Sequence, residues 1–219
     1  MSNSQEPRAI VLNPPPSLQI RADAETWPLR EAFKISRGAK TAASVIVVTV
    51  TDGTTTGRGE AVPYARYGET VEASRAAITN LGAIINHDAL ACALPPGAAL
   101  NAVDCALWDY EAKRAGRRVS ELLGRPALNP VTTAFTLSLD TPDAMAAKAH
   151  LVPDLPLLKL KLGGAGDSDR MRAVRQARPD ARLIADANEA WTVDMLGPLL
   201  AEATSLGFET IEQPLPENA

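Results

Sequence analysis

The chain has 219 residues, 46% hydrophobic and 22% charged, with a net charge of -4 and a pI of about 5.3. This acidic, ordinary globular balance excludes the basic footprint of a nucleic-acid binder. The absence of any 18-residue apolar run argues against a transmembrane helix, and Cys92 and Cys105, without CxxC spacing, read as reduced thiols of a cytoplasmic protein rather than a disulfide framework.

In chain order, residues 1–17 (MSNSQEPRAIVLNPPPS) lack the basic and apolar regions of a secretory signal and read as a flexible tail, extended at Pro14 to Pro16. Leu18 to Ile20 and the β-branched SVIVVTVT (44–51) predict strands, and GRGEAVP predicts a third in a small antiparallel sheet. Glu69 to Asn86 then predicts a helix with Val71, Ile78, Leu81 and Ile85 near one face. Pro95-Pro96-Gly97 breaks the chain before a helix from about Ala98 to Ala115, stopped by Gly116, and VSELLG adds a short one.

From Pro130 the pattern alternates. VTTAFTLSL predicts a strand and TPDAMAAKAHL a helix with Thr141 as N-cap; LLKLKL predicts a strand and Asp167 to Ala177 a helix. ARLIADAN predicts a strand, Val193 to Leu206 a helix and FETIEQP a last strand. Short-looped βα alternation implies a parallel sheet with helices outside, so the expected organisation is an α+β part at 18–129 and a β/α part at 130–219. Four strands fall short of a closed barrel, which takes about eight and roughly 250 residues. The architecture is therefore expected to be open or C-terminally incomplete.

Chemistry-bearing residues recur at the ends of those strands: Lys159 and Lys161 on one, Asp186 and Asn188 on the next, Glu212 on the last. Taken singly, a Lys-x-Lys strand is a solvated face and an Asp-Ala-Asn a turn. Falling at equivalent places in successive units, they suggest a site at the C-terminal ends of a β/α sheet. Carboxylates from adjacent strands suit a hard cation such as Mg²⁺, with a lysine beside them as base. The like charge at two-residue spacing is expected to lower a lysine's pKa.

KLKLGG, ADANEAW and IEQPLP, in this order, resemble the enolase superfamily, in particular its muconate-lactonizing branch with a Lys-x-Lys motif; AVDCALWDYEAKRAG and VSELLG resemble the same branch. Within it, WPLREAFKISRG, GRGEAVPYARYGET and TAFTLSLDTPD are most similar to the L-Ala-D/L-Glu dipeptide epimerases. The resemblance implies an α+β capping domain followed by the first half of a TIM-like (β/α) barrel. It implies an Mg²⁺-dependent isomerase that abstracts the α-proton of a dipeptide's C-terminal residue through an enolate. Lys161 would be the acid/base on one face. Lys159 would hold the carboxylate or enolate and depress the pKa of Lys161. Asp186 and Glu212 would be metal ligands, and Arg37 and Thr136 would contact substrate. The third metal carboxylate and the opposite-face lysine would come from later strands, so these 219 residues alone are expected to bind Mg²⁺ weakly and show no turnover. The implied partner is a small dipeptide, with no nucleic acid or membrane, and a homo-oligomer is compatible. Alternatives are another reaction of the branch (cycloisomerisation, o-succinylbenzoate synthesis, N-acylamino-acid racemisation) or a non-catalytic half-barrel. GGAGD (163–167) lacks the Walker pattern and is a weak phosphate-binding reading.

Overall fold

Two long strands, β1 (Gln19–Ile35) and β2 (Gly38–Thr51), and a short one, β3 (Thr56–Ala61), make a three-stranded sheet in the order β1-β2-β3. They come from a computed structural model that describes residues 18–82 and 86–219. The tail at 1–17, with Pro14 to Pro16, and Ile85 lie outside those residues. β1 extends far beyond the predicted Leu18 to Ile20. Its distal half, carrying Arg30, Glu31 and Lys34, is exposed on both faces, so no alternating apolar pattern marks it as strand.

The chain divides into two compact units, Met1–Trp27 with Ala43–Leu128, and Pro28–Ala42 with Asn129–Ala219. A single boundary near 129, as the sequence suggested, omits the segment 28–42, which clusters with the later residues.

In the first unit, β2 and β3 pair antiparallel, with Val48 opposite Gly59 and Val50 opposite Gly57. The helices are α1 (Val71–Thr79), α2 (His87–Ala93), α3 (Ala98–Ala115) and α4 (Val119–Leu122). The single helix predicted over 69–86 is corrected: α1 ends at Thr79, and Asn86 starts α2, its side chain accepting from the Ala89 N–H. Asn at a helix boundary is better used as an N-cap than in a helix interior. α3 has the predicted bounds, closed by Gly116 at φ 60°. Its N-cap is Gly97, which offers no side chain, and Glu69 from the loop before α1 takes its place by accepting from Ala98 N at 2.6 Å. Ile46, Val48 and Val50 bury against Ala102, Val103, Ala106, Leu107 and Tyr110 of α3. The approach is very close because β3 offers glycine on that face. A Cβ at Gly57 would stand 2.1 Å from the Ala106 carbonyl oxygen, and one at Gly59 would stand 2.1 Å from that of Ala102.

In the second unit, four parallel strands lie in the order β4 (Phe135–Leu137), β5 (Leu157–Lys161), β6 (Arg182–Asp186) and β7 (Phe208–Glu212). They alternate with α5 (Pro142–His150), α6 (Asp167–Ala177) and α7 (Val193–Ser205). β4 keeps only three residues of the predicted VTTAFTLSL. One sheet face packs Leu158, Leu160, Leu183 and Ala185 with Met145, Met171, Val174 and Ala203 from the helices. Below the sheet, the buried Arg178 donates to the carbonyls of Val152 at 2.6 Å and Leu155 at 3.0 Å and forks onto Asp180. No helix among the described residues is long and apolar enough to cross a membrane.

Two predictions follow from this packing. Gly59→Ala must shift α3 from the sheet and should lower stability in urea by about 1–3 kcal/mol, the usual range for overpacking; an unchanged midpoint would contradict the close approach. The second concerns acid. The hydrogen bond from Arg178 holds Asp180 at about 2, below its ordinary 3.8. A carboxylate depressed in the folded state contributes stability above its unfolded pKa and loses it as pH falls through the folded value. The urea midpoint of the wild type should therefore fall more steeply than that of Asp180→Asn between roughly pH 4 and pH 2, and parallel curves would refute it.

Candidate functional site

Strand register builds the site. β4 and β5 place Thr136 beside Lys159, β5 and β6 place Lys161 beside Asp186, and β6 and β7 place Asp186 beside Glu212. Lys161, Asp186 and Glu212 thus form one row across three strand ends, with Thr136 and Lys159 in the row below. Paired residues of neighbouring strands share a face, and here it is the face opposite the Leu158–Leu160 core.

The last pairing depends on an irregularity. Leu183 pairs with Phe208, but Ile184 pairs with Thr210, so one extra residue, Glu209, is accommodated in β7. Without it, the register begun at Leu183 would set Ile211 beside Asp186 and turn Glu212 to the other face. Glu209 instead meets Arg182 at 2.7 and 2.8 Å. The apolar residues of FETIE, Phe208 and Ile211, lie three apart rather than two, which is the trace of this bulge in the sequence.

Lys161 donates to Asp186 Oδ2 at 2.6 Å, and its side chain is 11% exposed against 2% for Asp186. Lys159 hydrogen-bonds Glu212 and stands 3.5 Å from Asp186 Oδ2. Each ammonium is therefore met by carboxylate. Burial alone would pull Lys159 down, but its hydrogen bond to Glu212 and the charges of Asp186 and Glu212 outweigh that and hold it above its ordinary value. Burial would likewise push Asp186 up. The hydrogen bonds from Lys161 and the Asn188 N–H, with the charges of both lysines, reverse the direction and keep it low. The mutual repulsion expected of the lysine pair is thus compensated in this arrangement by the carboxylates facing it.

Both carboxylates converge on one cation, the Lys159 ammonium, and both are hard oxygen donors on adjacent strand ends. A donor set of this kind fits Mg²⁺, which is held through one or two carboxylates with water and substrate completing an octahedron. Among the described residues no cluster of three or more metal-type side chains is present.

Arg37, in the turn between β1 and β2, donates to the Asn188 carbonyl at 2.8 Å and lies 3.6 Å from Glu189. Ser36 Oγ donates to the same carbonyl at 3.2 Å. The structure thus ties Arg37 to the loop that follows Asp186. Asn188, left out of the predicted set, is a junction of this loop: its φ is 47°, its N–H binds Asp186 Oδ1 at 2.8 Å and its side-chain amide reaches Gln213 at 3.3 Å. Asn tolerates positive φ better than most residues, which is the signal the sequence offered.

Sequence reasoning also missed Asp167. Fully buried, its carboxylate accepts from the N–H groups of Gly163 and Gly164, from Trp191 Nε1 at 2.8 Å and from Arg170 at 2.9 Å. The first two N–H groups of the glycine-rich loop after Lys161 are taken by this aspartate, whose buried carboxylate argues further against the weak phosphate-binding reading of GGAGD.

Comparison with known proteins extends the picture. Residues 17–124 match the family model of the mandelate racemase / muconate lactonizing enzyme N-terminal domain, and residues 144–219 match that of the enolase C-terminal domain-like family. The chain is 40% identical over 203 residues to the L-Ala-D/L-Glu epimerase of Escherichia coli (strain K12), covering 90% of this chain and 63% of that protein. It superposes with a TM-score of 0.84 and 46% identity on an enolase family member from Agrobacterium tumefaciens with homology to dipeptide epimerases, which holds sodium and L-Ala-L-Glu; the match covers 91% of this chain and 62% of that one. A dipeptide epimerase from Methylococcus capsulatus, complexed with magnesium and the dipeptide L-Arg-D-Lys, superposes with a TM-score of 0.80 at 29% identity, covering 92% and 61%. The chain therefore spans less than two thirds of the length of these relatives.

Asp167→Asn should lower stability by about 2–4 kcal/mol, because it weakens a buried acceptor serving four donors at once. Thermal unfolding followed by Trp fluorescence measures this, and a change under about 0.5 kcal/mol would show the network to be dispensable.

Proposed function

This chain belongs to the enolase superfamily, and on that premise we propose that it carries the lysine pair and two metal carboxylates of a magnesium-dependent dipeptide epimerase of the L-Ala-D/L-Glu type. The observation that supports the reading most directly is the row Lys161–Asp186–Glu212, with Lys159 hydrogen-bonded to Glu212 and 3.5 Å from Asp186.

Lys161 is the acid–base group. Its nitrogen lies at the strand end on the polar face, and it takes the α-proton of the dipeptide's C-terminal residue from one side. A proton α to a carboxylate is far too weakly acidic for an amine in water, so stabilisation of the developing charge is the larger requirement. Bound at Asp186 and Glu212, Mg²⁺ would supply that stabilisation as a Lewis acid toward the substrate carboxylate. Lys159 adds a second positive charge on the same side of the site and orients the Glu212 carboxylate. Thr136, beside Lys159 on β4, presents a hydroxyl toward the same face. Arg37 uses one guanidinium nitrogen on the Asn188 carbonyl and keeps further N–H donors for an anionic substrate side chain. Epimerisation needs a second acid–base group on the opposite face of the α-carbon, and Lys161 serves one face only.

The test is deuterium exchange at the glutamate α-carbon of L-Ala-L-Glu in D₂O, followed by proton NMR with the full-length protein and Mg²⁺. Exchange is expected in the wild type. Lys161→Ala should reduce it by about 10³-fold, within the range for loss of a general base, with the circular dichroism spectrum retained. Undiminished exchange in that variant would remove Lys161 from its role. Exchange with N-acylamino acids but with no dipeptide would move the reading to racemisation.

A further inference from the structure

Phe33 lies on β1 two residues before its end, on the segment that clusters with the parallel sheet. Its ring centroid is 5.7 Å from Lys161 Nζ, inside the roughly 6 Å reach of a cation–π contact. The nitrogen is thus flanked by the ring and by Asp186 Oδ2 at 2.6 Å. We propose that Phe33 is a positioning residue for Lys161, holding the ammonium over the polar strand ends by its aromatic face.

The placement of Phe33 is fixed from both sides along the chain. Glu31 pairs with Lys148 at 2.7 Å, and Lys34 pairs with Asp140 at 2.9 Å. The Leu139 N–H donates to the Lys34 carbonyl at 3.1 Å, and Ser36 and Arg37 both donate to the Asn188 carbonyl. These ties flank Phe33 in sequence, so the ring is held over Lys161 by its neighbours as well as by its own contact. A ring face attracts an ammonium without accepting a directed hydrogen bond of carboxylate strength. It therefore limits where the nitrogen goes without taking up the N–H bonds that Asp186 leaves free. An aliphatic side chain would cover it without attracting it.

The inference rests on the proposed role of Lys161, and the experiment separates the two. Phe33→Leu keeps apolar cover and removes the π face, whereas Phe33→Trp restores it. With full-length protein carrying lysine labelled with ¹³C at Cε, and Lys161→Arg to assign the signal, the Lys161 ε-methylene should be shifted upfield by ring current in the wild type and in Phe33→Trp. That shift should vanish in Phe33→Leu. For α-proton exchange, kcat of Phe33→Leu should fall about tenfold, with KM changed less than about twofold, and Phe33→Trp should recover most of it. Wild-type kcat in Phe33→Leu, or an unshifted ε-methylene in the wild type, would overturn the proposal. A shifted methylene in a wild type that exchanges no substrate would uphold the contact and place the error in the assigned reaction.

Discussion

The site depends on strand register. Side chains on a strand alternate with a period of two, so a slip of one residue moves every group to the other face. In this sheet Lys161, Asp186 and Glu212 meet only because β5, β6 and β7 are aligned at their C-terminal ends. For β7 the alignment requires the extra residue at Glu209. The apolar packing of Leu158, Leu160, Leu183 and Ala185 against the helices enforces the register from the opposite face. Core packing and site geometry are thus two sides of one constraint. A substitution that disturbed the register would damage both.

The same constraint explains how charged groups tolerate their partly buried positions. Isolated ammonium and carboxylate groups at these depths would be costly. Arranged in a row, Lys161 is met by the buried Asp186 and Lys159 by the half-exposed Glu212, and the carboxylates offset the desolvation of the two ammonium groups. Asp186 is further held by the Asn188 N–H, within a loop whose backbone runs at positive φ at Asn188 and Glu189 and whose Glu189 N–H donates to the carbonyl of Gln213, after β7. The loop after Lys161 is organised by Asp167 in a comparable way, through backbone N–H groups and the Trp191 indole. The strand ends are therefore bordered by tightly hydrogen-bonded loops, which suits groups that must hold a fixed geometry.

The first unit uses a different device. β3 has glycine at two positions on one face, and α3 sets alanines against them, so helix and strand backbones approach until no Cβ would fit. GRGEAVP reads in the sequence as a short strand, and the structure adds that its glycines work as a packing surface. The helix mispredicted over 69–86 has a related cause: apolar spacing continued past Thr79, but Asn86 was more favourable as the start of α2 than as an interior residue.

The sequence by itself determined most of the elements, the bounds of α3 and α6, and the recurrence of lysine and carboxylate at successive strand ends. These are local properties, written in periodicity, caps and breakers over a few residues. It also held weaker traces that are legible only with the structure in view, such as the three-residue apolar spacing of FETIE and the glycine pair followed by Asp167. Only the tertiary structure decided that residues 28–42 belong with the parallel sheet, that Arg37 binds the Asn188 carbonyl and that Phe33 covers Lys161. The physical reason is the separation along the chain: Lys34 meets Asp140 across 106 residues and Arg37 meets Asn188 across 151. Contacts of that range impose no repeat on the residues between them. They arise when two surfaces, each folded by its own local rules, come together.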